Sequence, residues 1–78
     1  MVYMITSVIM DGAKSVGLLS SARKIAQQEA VTLHKHTEYR GSDAWVAIYR
    51  WNTRTKMNTP MEEWKYNGKT YSSRKMRM

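Results

Sequence analysis

Asp43-Ala44-Trp45-Val46-Ala47-Ile48-Tyr49-Arg50-Trp51 is the stretch that decides the fold. Its Val, Ile, Tyr and Trp suit a pleated, half-buried surface. Side chains alternate across a strand, so Ala44, Val46 and Ile48 share one face. Trp45, Ala47, Tyr49 and Trp51 share the other. The first set suits a small dry core. The second carries three large rings, and the chain then turns basic at Arg50, Arg54 and Lys56. An aromatic face leading into a cationic run points to binding rather than to chemistry, and it names no target.

Upstream, residues 31–39 read either as two further helical turns or as a strand. The β-branched Val31, Thr32 and Thr37 favour the strand, and Tyr39-Arg40-Gly41-Ser42-Asp43 supplies a turn. Residues 31–51 are therefore expected to form a β-hairpin. Before them, residues 14–30 read as a helix. Leu18, Ala22, Ile25, Ala26, Glu29 and Leu33 recur on one face, with Lys24, Gln28 and Lys35 opposite. Ser15 or Ser20 is the candidate cap, and Gly17 favours the later start. Residues 2–10 read as an inner strand, apolar on both faces, ending at Asp11-Gly12.

Downstream, residues 52–61 carry Asn, Thr and the single Pro without periodicity, and read as a loop. Trp64-Lys65-Tyr66, Asn67-Gly68 and Lys69-Thr70-Tyr71 read as a second hairpin. The expected architecture is α+β: a small antiparallel sheet with one helix packed on one face, in the order β-α-β-β-β-β. Residues 1–71 are expected to form one small domain, and residues 72–78 a basic, flexible tail.

Seventy-eight residues allow only a marginal core, and with no cysteine there is no disulfide to staple it. Homo-oligomerisation or a partner is a way to supply what the core lacks. Residues 1–49 carry five Lys and Arg against four Asp and Glu, whereas residues 50–78 carry eight against two. That lopsided charge favours an anionic partner. No run approaches the ~20 apolar residues of a membrane span. The opening residues lack the basic segment of a signal peptide, so a cytoplasmic protein without membrane contact is expected.

Rings interleaved with cations are the chemistry of single-strand binding, in which bases stack and Lys or Arg tracks phosphates. The candidate nucleic-acid contacts are Arg50, Trp51, Arg54, Lys56, Trp64, Lys65, Tyr66, Lys69, Tyr71, Arg74, Lys75 and Arg77. The same Trp and Tyr residues also serve as core in a chain without Phe. Ser73-Arg74-Lys75-Met76-Arg77 reads as a basic arm that orders on a polyanion, or as a solvated tail. His34, His36 and Glu38 would share a face if residues 31–39 were a strand, the geometry of a metal or acid–base site. Asp11-Gly12-Ala13-Lys14-Ser15 lacks phosphate-loop spacing and reads as a turn with a helix cap. No RNP signature, GXXG clamp or helix-turn-helix pattern is present.

The expected function is thus a small basic protein that binds RNA, or less readily DNA, through its C-terminal half. The alternative is a small regulatory inhibitor or adaptor, of the type phages encode, that binds a protein or a ribonucleoprotein such as an RNase toxin. A nuclease using His34, His36 and Glu38 is a third option. No cofactor is implied.

Overall fold

The computed structural model describes residues 2–36 and 44–76. Among these residues, five strands form one antiparallel sheet, and a single helix packs on one face. The strands are β1 (Val2–Thr6), β2 (Lys14–Val16), β3 (Val46–Asn52), β4 (Met57–Tyr66) and β5 (Tyr71–Lys75). The helix α1 spans Leu19–Lys35. The strand order is β2-β1-β3-β4-β5, with every neighbouring pair antiparallel. The α+β class and the helix-covered sheet agree with expectation. The element order is β-β-α-β-β-β, so one strand precedes the helix that was expected to follow it.

The core lies between α1 and the covered face. Ile5, Val46 and Ile48 are 0% exposed and meet Ala22, Ala26, Ala30 and Leu33. Small alanines let the helix axis approach the sheet closely. They also explain why the helix runs through Lys35 rather than giving way to a strand at Val31. Ala22, Ala26, Ala30 and Leu33 form one stripe at helical spacing, and burying Leu33 outweighs the β preference of Val31 and Thr32. Thr32 Oγ1 donates to the Gln28 carbonyl at 3.1 Å, absorbing its hydroxyl within the helix. The expected hairpin over residues 31–51 is therefore not formed, and the Arg40-Gly41 turn lies outside the described residues.

The helix starts late, at Leu19. Leu18 stands at the N-cap with no side-chain cap, so neither Ser15 nor Ser20 performs that role. Lys14 and Ser15 instead belong to β2, which pairs back on β1. This shortens the expected first strand: Met10 N donates to Ser7 O, turning the chain after Thr6, and Gly12 takes a positive φ of 88°. β1 is internal, but only its Tyr3–Ile5 side meets the helix; Met4 lies on the other face.

Residues 52–61 are not the expected loop, despite Pro60. Only residues 53–56 form a turn, and Met57–Tyr66 is the longest strand. The β3–β4 register shifts between Ile48 and Tyr49, which face Glu62 and Pro60, so Met61 is an extra residue. A bulge tolerates proline. Pro60 also lies beyond the stretch of β4 that pairs with β5, so its missing N–H breaks no ladder. Tyr71–Lys75 is the edge strand β5, not a tail from residue 72. Among the described residues, no helix is long and apolar enough to cross a membrane.

Candidate nucleic-acid interface

The sheet's alternation divides its side chains between a helix-covered face and an open one. Registers place Tyr3, Ile5, Val46, Ile48, Arg50, Glu62, Trp64, Tyr66, Tyr71 and Lys75 on the covered side. Met4, Ala47, Tyr49, Trp51, Glu63, Lys65 and Arg74 share the open side, on which no described element packs.

On the open side, Tyr49 and Trp51 stand two residues apart on the central strand. Their spacing is about 6.7 Å, twice the strand rise. Tyr49 is flanked by Met4 of β1 and Pro60 of β4, and Trp51 by Val2 and Asn58. Both are half-buried, so each keeps part of its surface in solvent.

Cations lie at both ends of this pair. Beyond Trp51, the β3–β4 turn carries exposed Arg54 and Lys56. Asn52 Oδ1 accepts from the backbone N–H groups of Arg54 and Thr55 at 2.9 and 3.2 Å. Lys56 N donates to Asn52 O at 2.7 Å, and Lys56 takes the left-handed conformation at φ 57°. This side-chain-closed turn holds both cations on a defined loop. Beyond Ala47, Trp45 meets two cations: Arg74 Cζ lies 4.0 Å from its ring centroid and Lys65 Nζ 5.6 Å. Arg74 Nε also donates to Glu63 Oε1 at 2.8 Å. Planar guanidinium, ring and carboxylate thus hold one another in place.

The covered side uses its rings differently. Trp64 and Tyr66 pack against the core, and Tyr66 meets the His34 ring edge-on at 5.4 Å. Tyr71 leans on both, at 6.4 Å from Trp64 and 5.0 Å from Tyr66. Glu62 pairs with Arg23 of the helix at 2.6 Å, clamping α1 to β4. That carboxylate raises the Arg23 guanidinium above its ordinary value, through the hydrogen bond first and charge second.

The twelve candidate contacts are therefore not one patch. Trp51, Lys65 and Arg74 share the open face with Arg54 and Lys56 at its end. Trp64, Tyr66, Tyr71, Arg50 and Lys75 belong to the helix side. Lys69 sits in the β4–β5 turn, where Asn67 Oδ1 accepts its N–H at 2.9 Å. That turn lies at the opposite end of β4 from Lys56, about 30 Å away by strand rise. Arg77 lies outside the described residues. Tyr49 and Trp45 were missing from the candidate set, although the alternation through residues 45, 47, 49 and 51 already linked them to Trp51.

The strand that would have aligned His34, His36 and Glu38 does not form. His34 is helical and His36 is the C-cap, so positions two apart diverge. Glu38 lies outside the described residues, among which no three potential metal ligands gather.

Compared with known proteins, the chain matches no family model, no curated protein and no solved structure at a significant level. Function has to follow from the chemistry of these side chains.

Proposed function

We propose that this protein binds single-stranded nucleic acid, RNA before DNA, across the open face of its sheet. The observation that carries this reading is the pair Tyr49 and Trp51 on that face, between Arg54–Lys56 at one end and Lys65–Arg74 at the other. Ring spacing of about 6.7 Å is twice the ~3.4 Å per base of a stacked duplex strand. Bases seated on both rings must be splayed apart, which single strands allow and duplexes resist. Tyr49 and Trp51 offer π-faces to successive bases, while Arg54, Lys56 and Lys65 take phosphates. Arg74, already drawn to Glu63, serves as a planar lid on Trp45 on which a further base stacks. A cytoplasmic location fits such a role.

The test is fluorescence anisotropy with a labelled U-rich oligoribonucleotide, its deoxy counterpart and a duplex of equal length. The ribo strand is expected to bind tightest and the duplex weakest. With three cations on phosphates, log affinity should fall against log salt with a slope of about −2. Equal binding of duplex and single strand, or no salt dependence, would sink the proposal. A protein retained in pull-downs after RNase treatment would favour the regulatory-adaptor reading instead.

A further inference from the structure

The sheet has two edges, and they are built differently. β2 is three residues long and flanked by Gly12 and Gly17, a blunted edge. β5 has five residues, all exposed, with neither proline nor bulge. We propose that β5 pairs with β5 of a second copy of this chain, antiparallel and centred on Ser73, joining two sheets into one.

The hydrogen-bond phase of β5 carries this inference. Asn67 N donates to Thr70 O, and Met76 N donates to Met61 O. Both bonds face β4, so alternation turns the backbone groups of Ser72 and Arg74 toward β4 as well. Tyr71, Ser73 and Lys75 turn theirs outward, where no described strand lies. These outward residues are symmetric about Ser73. In an antiparallel pair, Ser73 meets the partner's Ser73, and Tyr71 meets the partner's Lys75. Each such pair exchanges both hydrogen bonds.

Charge selects the same register. Within Tyr71–Lys75, centring on Ser73 sets Arg74 against the partner's Ser72, and no cation faces a cation. A slip of two residues toward the C-terminus sets Arg74 against the partner's Arg74. A slip of two residues toward the turn leaves only Tyr71–Ser73 of each β5 paired. Like charges directly opposed destabilise a strand pair. The favoured register also covers Tyr71, which is 45% exposed, with the aliphatic stem and ammonium of a lysine. The two-fold axis stands normal to the sheet, so both open faces look the same way. The pairing rests on the backbone phase and side chains of β5 and stands whether or not nucleic acid binds the open face.

Sedimentation equilibrium of nuclease-treated protein tests it, from about 1 μM to about 1 mM, because so short an interface gives a weak dimer. The mass should rise from 9.1 kDa toward twice that value. Association should strengthen with salt, since each copy carries +7 and screening relieves their repulsion. Ser73→Pro removes the central outward donor without touching the β4 ladder, and should abolish association. Ser73→Lys keeps the backbone and opposes like charges at the centre. It should weaken association at least about tenfold at low salt and less at high salt. Circular dichroism melts check that both variants fold. A wild-type mass of 9.1 kDa throughout, or doubling that both variants retain, overturns the proposal. So does association that weakens with salt, the mark of bridging nucleic acid.

Discussion

Successive side chains of β3 enter two different environments. Val46 and Ile48 are sealed under α1, while Tyr49 and Trp51, one and three positions further on, face the open side half-buried. β4 repeats the division: Glu62 and Trp64 turn toward the helix, and Glu63 and Lys65 turn away. Residue type does not separate the two faces, since each holds tryptophan, tyrosine, arginine and lysine. Position parity and the placement of one helix do. A ring on the covered side spends its area on packing. A ring on the open side has area left for a ligand. If the comparison is sound, substitutions on the two faces should move different observables.

The largest effect is expected under the helix. Ile48→Ala deletes a fully buried side chain at the centre of a core built mostly from alanine and small aliphatics. It should cost about 2–5 kcal/mol of unfolding free energy. For a domain of this size that is a large share of the total stability. Urea denaturation followed by tryptophan fluorescence measures it. A loss below about 1 kcal/mol would mean that the helix–sheet contact is looser than its burial implies.

The next effect is on the open face and should appear in binding. Trp51→Ala should weaken oligoribonucleotide affinity by about 1–3 kcal/mol, roughly five- to 150-fold. Its melting temperature should change less than that of Ile48→Ala. Anisotropy titration and a thermal melt on the same sample separate the two. A variant that loses stability but keeps its affinity would assign Trp51 to the fold and break the distinction between faces.

Much of this division was legible in the chain. The β3 stretch showed its two faces because alternation needs only local sequence, and Asn67-Gly68 marked its hairpin because a positive φ, 99° at Gly68, demands such residues. The helix stripe was visible too, but its end was not. Val31 and Thr32 prefer strands locally, and only packing of Leu33 on the sheet reverses that preference. Pro60 hid β4 because the bulge and the absence of a β5 residue paired with Pro60, both tertiary features, make proline harmless there. Chain order places every ring and cation after residue 49 in one group. Chain order does not report which side of a sheet a residue faces across a hairpin. By face, Tyr49 joins Trp51, and Trp64, Tyr66 and Tyr71 do not.

The smallest effect probes a tryptophan of the covered side. Among the described residues, the Trp64 indole N–H is buried without a hydrogen-bond partner. A buried donor left unpaired costs about 1–3 kcal/mol, so the ring's packing must outweigh its own polar atom. Trp64→Phe removes that donor and also part of the ring that leans on Tyr71. The two changes oppose each other, and the net shift in stability should stay within about 1 kcal/mol. Oligonucleotide affinity should not change, because Trp64 lies on the far side of the sheet from Trp51. Urea denaturation and anisotropy check both statements. A loss beyond about 2 kcal/mol would mean that the N–H contributes a bond and the covered face holds a polar contact of its own. A loss of affinity would mean that the ligand reaches around β5 to the helix side, and the two faces would no longer be separate in function.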